Sequence, residues 1–293
     1  MKRKLVKQGN GALTISLPHK WIELNNLEKG DYIDLLESGK DLLATSSGKM
    51  EVKRHEITIS LEKPFFKRYL KSLYILGYDN IMINSLDKLP ISEIKKSIRE
   101  LIGFEIIDQT QKRCEVSIVS TSNSDSLDSL LRRVFHIISN MMEDIISQLR
   151  LKEIEELKSI AEREENVNRF VNLCLRSLNK QGYHDYKKTP YIYLILSNLE
   201  LIADALRDFC LDVKVPNQDV ADLLSEIKIY FDECHKLFFK YDMKKIKNVK
   251  EQRIKLFSLA YSVNASMPDQ VMYLYHIIAT LHQIEVAFDP LNS

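Results

Sequence analysis

Hydrophobic and polar positions alternate near the start of the chain: Leu13, Ile15 and Leu17 interleave with Ala12, Thr14 and Ser16, the period of a strand with one buried face. Gly9-Asn10-Gly11 precedes them and supplies residues that tolerate positive φ, predicting a hairpin turn. Pro18 ends the strand and opens a short helix over His19–Leu24. Asn25-Asn26 and a Gly30-Asp31 turn follow, and a second strand resumes at residues 32–35.

The period then changes twice. Residues 55–119 read as a strand (Ile57, Ile59, Leu61), a helix over 64–76, a strand at 81–83, a helix over 91–102, and two strands around Ile106-Ile107 and 116–119. This predicts a small α/β unit. The polar run from Ser120 to Ser126 has linker composition and can cap the next helix. From residue 127 to about 286 helical periodicity dominates, in about six segments of ~20 to 25 residues. Breaks are expected at 182–190, at Val215-Pro216-Asn217, at Pro268, and less distinctly at 150–153. Short connections between long helices predict antiparallel packing in a bundle. Glu165-Asn166-Val167-Asn168-Arg169-Phe170 and Gln252-Arg253-Ile254-Lys255-Leu256-Phe257 occupy equivalent places, suggesting two three-helix units.

Composition supports a multidomain chain of 293 residues with a sizeable core: 45% of residues are hydrophobic, 28% charged, and only eight are Gly and seven Pro. The expected domains are 1–50, 51–122 and 123–293. Four scattered cysteines without a C-x-x-C pair argue against a zinc ribbon or a disulfide scaffold. The first residues lack an apolar signal core, and the uncharged stretch 270–284 is fifteen residues, short of the about 20 a membrane span needs. A cytoplasmic protein without membrane insertion is expected. Charge is uneven: between Met1 and Lys20 there are five cations (Lys2, Arg3, Lys4, Lys7, Lys20) and no carboxylate, whereas the whole chain carries +1. A phosphate backbone attracts such an excess, although a solvated basic terminus has the same composition.

The basic strand Lys4 to Gly11, Thr14-Ile15-Ser16-Leu17-Pro18, Trp21 and Leu27-Glu28-Lys29-Gly30-Asp31 resemble the swapped-hairpin domain of the AbrB/SpoVT/MazE group. The resemblance implies that two chains exchange hairpins to form one β-barrel, making a homodimer that binds double-stranded DNA. About 50 residues bury little surface alone, which agrees with that expectation. Residues 68–81 and 101–108 look like the connecting region of archaeal AbrB–PhoU fusion regulators, and six helices in two triplets look like the PhoU fold. The expected fold is therefore multidomain α+β: a swapped-hairpin β-barrel, a small α/β middle unit and an all-α PhoU-like six-helix bundle.

In PhoU-like proteins an E-x-x-x-D motif supplies carboxylates to iron or zinc clusters, and the matching positions here are Glu200 and Asp204, with Asp208 one turn further. Spacing of i, i+4 and i+8 puts them on one stripe drifting only ~80°. Leu199, Ile202, Leu206 and Phe209 fall on the opposite side, so an ordinary amphipathic helix has the same pattern. The second triplet offers His276-Ile277-Ile278-Ala279-Thr280 at the equivalent place, without a carboxylate pair, and Asn168 stands where the family often has an acid. His276 and His282 fall on different faces, and adjacent Cys234-His235 chelate poorly, so these read as packing or surface residues.

No nucleophile elbow, Walker loop, H-E-x-x-H or dinucleotide fingerprint is present, and no enzyme is expected. The expected function is a dimeric transcriptional regulator of the phosphate-uptake type. Arg3, Lys4, Lys7 and Lys20 are its candidate phosphate contacts, with Thr14 and Ser16 as neutral donors. Two alternatives stay open: an adaptor whose bundle docks on a phosphate transporter or signalling kinase without DNA binding, and an antitoxin-like protein.

Overall fold

The computed structural model describes residues 2–9, 11–38, 41–46, 54–59, 63–85, 88–119, 126–264 and 267–292. Asn10 of the expected turn, Leu61 of the expected strand and residues 120–125 of the expected linker lie outside them. The chain forms two compact units, Met1–Val52 and Lys53–Ser293.

In the first unit β1 (Val6–Gln8) and β2 (Ala12–Thr14) pair antiparallel, with Val6 opposite Thr14 and Gln8 opposite Ala12. The turn is closed by the Ala12 amide donating to the Gly9 carbonyl at 3.1 Å, and Gly9 and Gly11 adopt φ of +38° and +85°. Helix α1 (His19–Leu24) begins after Pro18, as the sequence predicts. Gly30 turns the chain with φ +107° into the hairpin of β3 (Ile33–Ser38) and β4 (Asp41–Ser46). Among the described residues the two hairpins remain separate two-stranded sheets and no side chain of this unit is buried. Leu5, Val6, Leu13, Ile15, Leu24, Tyr32, Leu35 and Leu42 are all about half exposed or more.

The second unit opens with an α/β layer: β5 (Arg54–Ile59), α2 (Lys63–Ile75), β6 (Asn80–Ser85), α3 (Ile91–Ile98), β7 (Phe104–Gln109) and β8 (Arg113–Ile118). The sheet order is β5-β6-β8-β7, with β5 parallel to β6 and β8 inserted antiparallel between β6 and β7. Leu70, Leu73 and Tyr74 share one face of α2 and are buried with Ile81, Ile83, Cys114 and Val116 of the sheet. Helix α3 stops at Ile98 rather than near 102. Leu101 keeps the apolar spacing, but the chain leaves the helix and turns at Gly103, φ +88°, into β7. The register slips between Ile106 and Asp108, a β-bulge that leaves Ile107 half exposed.

The helices are α4 (Leu127–Leu151), a short α5 (Leu157–Ala161), α6 (Glu164–Gln181), α7 (Thr189–Asp212), α8 (Gln218–Phe239), α9 (Met243–Asn264), α10 (Pro268–Val286) and a terminal turn α11 (Phe288–Asn292). Ser126 caps α4 by accepting from the Ser129 amide at 3.2 Å, and Lys152 ends it in the left-handed region at φ +64°. Asn217 caps α8 through the Val220 amide at 3.1 Å. The break between α8 and α9 has no Gly or Pro. Lys240 leaves the helix and the Asp242 carboxylate accepts from the Lys244 amide at 3.0 Å, restarting the chain as α9. The long helices pack as two triplets, α4/α6/α7 and α8/α9/α10, with α7 against α10 and α4 against α8 around one apolar core.

Candidate functional site

In the hairpin of the first unit, Lys7 lies opposite Leu13 and Thr14 opposite Val6. Directly opposed residues share a face, so Lys7 and Thr14 project from different faces of the ribbon. The Thr14 hydroxyl donates to the Val6 carbonyl at 3.2 Å, which commits its proton within the hairpin. Arg3, Lys4, Lys7, Ser16 and Lys20 are exposed, and among the described residues none of these four cations is in an ion pair with a carboxylate. Within α1, Glu23 Oε1 is 3.2 Å from His19 Nδ1.

The carboxylate stripe lies on α7, and each member is ion-paired. Glu200 Oε1 is 2.8 Å from Lys71 Nζ on α2. Arg207 takes the other two: its Nη1 is 2.6 Å from Asp204 Oδ1 and its Nη2 2.9 Å from Asp208 Oδ1. The same Nη1 reaches Glu164 Oε1 on α6 at 3.1 Å, and Asn168 donates to that oxygen as well. Glu164 is 5% exposed, and burial pushes its carboxyl up to about 7 against the opposing pull of Arg207. Among the described residues no group of three or more His, Cys, Asp or Glu side chains is placed to hold a metal ion. The donor set does not fit an iron or zinc cluster, because guanidinium and ammonium groups already neutralise the carboxylates. Leu199, Ile202, Leu206 and Phe209 are fully buried on the other side of α7, the pattern of an amphipathic helix.

A related arrangement occurs in the second triplet with the charges exchanged between helices. Glu285 on α10 is 2% exposed; its Oε2 accepts from the Tyr230 hydroxyl at 2.8 Å and from Arg253 Nη1 on α9 at 3.0 Å. His282 is hydrogen-bonded to Arg253, and His276 is exposed. Cys234 is fully buried, and His235 stacks on Phe135 with ring centroids 4.6 Å apart, so this pair contributes packing.

Three long helices joined by short connections, with a buried glutamate and an arginine between the second and third, delimit one repeated unit, α4 to α7. Residues 131–213 match the family model of the PhoU domain. The match starts near the beginning of α4 and ends at Val213, the residue that caps α7. It covers less than a third of the chain and supports a regulator of phosphate homeostasis. No curated protein and no solved structure matches the chain. No helix among the described residues is long and apolar enough to cross a membrane.

The region that matches the PhoU model is tied to the α/β layer by residues that periodicity alone leaves unmarked. Arg176 of α6, 3% exposed, donates through Nη1 to the carbonyls of Tyr74 at 2.7 Å and Tyr78 at 2.8 Å, and through Nη2 to Asp79. Lys180 grips both oxygens of Asp79 at 2.7 and 2.9 Å, and Asn179 donates to the Ile75 carbonyl at 2.9 Å. These side chains bind carbonyls at and just beyond the C-terminus of α2, where a cation is also favoured by the helix dipole. Arg176 stacks over Tyr74 and Phe104 at 4.8 and 5.7 Å. Gly77, φ +89°, leaves room for Lys180: a Cβ there would meet its Cγ at 2.7 Å. Arg176 and Lys180 are i, i+4 on α6 and share a face, but that spacing names no partner.

Proposed function

We propose that this protein is a dimeric DNA-binding transcriptional regulator of the phosphate-uptake type, non-catalytic, with its helical part receiving the signal. The observation that carries the reading is the first unit: exposed cations without a carboxylate partner and no buried side chain among its described residues, in the same chain as a region that matches the PhoU model. A unit of about 50 residues gains a core by exchanging hairpins with a second copy. Arg3, Lys4, Lys7 and Lys20 then supply phosphate contacts and Ser16 a neutral donor, while Thr14 stabilises the hairpin. No step is assigned to a metal, since the carboxylates of α7 are paired with Lys71 and Arg207.

Fluorescence anisotropy with the protein's own promoter fragment and a random duplex, across a salt series, tests this. Promoter-selective binding is expected, and Arg3→Ala/Lys4→Ala should weaken it and flatten the salt dependence by about 0.9 log unit for each phosphate no longer neutralised. Equal weak binding to both duplexes, unchanged in the variant, would retire DNA binding. The PhoU match favours a second reading in that event: an adaptor whose bundle contacts a phosphate transporter or signalling kinase, with the first unit serving dimerisation alone.

A further inference from the structure

A cavity of about 700 Å³ opens between the α/β layer and the start of α6. Lys95 and Lys96 of α3, Arg99 just after it, and Arg169 of α6 line it, together with the Gly103 turn. We propose that this cavity binds a small organic polyanion of the nucleoside di- or triphosphate class. Such binding is independent of DNA binding by the first unit.

Charge argues first. None of the four cations forms an ion pair with a carboxylate among the described residues, in a unit where Lys67, Lys71, Arg150, Arg163, Lys228 and Arg253 all do. The cavity also carries Glu100, Glu105 and Glu165, but Glu100 is held from outside by Lys67 at 2.5 Å. Lys95 and Arg99 are i, i+4 and therefore reach the same rim. Arg169 adds an independent sign: its Nε is buried and has no hydrogen-bond partner among the described residues, an uncompensated donor.

Size and shape decide the ligand class. Drug-sized ligands occupy pockets of about 300 to 1,000 Å³, so inorganic phosphate alone would leave most of this volume unfilled. Ile98, Leu101 and Phe104 contribute buried apolar surface to the wall, suited to a base or ribose rather than to a bare anion. A duplex backbone is convex and would use cations on a ridge, whereas these converge on a concavity.

Isothermal titration of the full chain with ATP, without divalent cations, tests the proposal. One site per chain is expected, with Lys95→Ala/Arg99→Ala weakening it at least tenfold and inorganic phosphate binding at least tenfold more weakly than ATP. Both replaced side chains are exposed, so the variant should melt as the parent does. Arg169→Ala provides a second variant with the same expected weakening. Lys247→Ala, on an 82% exposed side chain of α9, should leave affinity unchanged. The proposal is overturned if ATP does not bind, if affinity survives both cavity variants, if Lys247→Ala lowers it equally, if phosphate binds as tightly, or if duplex DNA displaces the nucleotide.

Discussion

Buried Glu164 and half-buried His235 pull stability in opposite directions with pH. Glu164 has its carboxyl raised to about 7 by burial, so between about 4.5 and 7 the folded chain holds a proton that the unfolded chain has released. Stability from this residue is therefore present at low pH and lost as pH rises through 7, by at most about 3 kcal/mol. Glu164→Gln should be more stable than the parent at pH 8 and nearly equal at pH 5, since Arg207 keeps Asp204 and Asp208 as partners. His235 behaves in the reverse sense: burial, helped by neighbouring His136, lowers it to about 4. Between about 6.5 and 4 the unfolded chain takes up a proton that the folded chain refuses, so stability falls as pH drops through that window. His235→Phe keeps the ring stacked on Phe135 and should recover on the order of 2 kcal/mol at pH 4.5. Urea melts of parent and both variants at pH 4.5, 6 and 8 separate the two contributions; parallel pH profiles for all three proteins would refute both assignments.

At the scale of elements, the joint between α2 and α6 depends on one guanidinium. Truncating Arg176 to Ala removes its hydrogen bonds to the Tyr74 and Tyr78 carbonyls and its ion pair with Asp79, a destabilisation of about 3 to 5 kcal/mol by analogy with other broken buried ion pairs. Denaturant unfolding followed by far-UV circular dichroism should show it; a change below about 1 kcal/mol would mean that packing of Tyr74 and Phe104 holds the joint. Sequence could not reveal this joint, because Arg176 and Tyr74 are about a hundred positions apart and nothing local pairs them. Local signals were legible where chemistry was local: Pro18 opening α1, the polar run that ends in Ser126 capping α4, and Val215-Pro216-Asn217 breaking α7 from α8. The α8–α9 break is hidden in the sequence because an aspartate cap replaces the Gly or Pro that marks most breaks, and α3 reads too long because Leu101 continues its period. The carboxylate stripe of α7 was equally visible, but its partners Lys71 and Glu164 come from other elements.

At the scale of the whole molecule, the described residues of the second unit form a large core, and those of the first unit include no buried side chain. Leu13 and Ile15 on the hairpin, Leu24 on α1 and Leu35 and Leu42 on the second hairpin each expose between 49% and 67% of their surface. At about 25 cal/mol per Å², covering such side chains is worth roughly 1.5 to 3 kcal/mol each, enough to drive association of two first units without any contribution from the bundle. Static light scattering of the full chain should accordingly return twice the chain mass. Leu13→Glu/Ile15→Glu places charge on the surface to be covered and should yield monomers whose helical signal and main unfolding transition, properties of the second unit, are unchanged. DNA affinity should fall with dimerisation in the same variant although Arg3, Lys4, Lys7 and Lys20 are intact, because a dimer doubles the phosphate contacts made in one encounter. A variant that stays dimeric would shift the dimer interface to the second unit, and a monomeric variant that binds duplex with parental affinity would separate DNA binding from hairpin exchange.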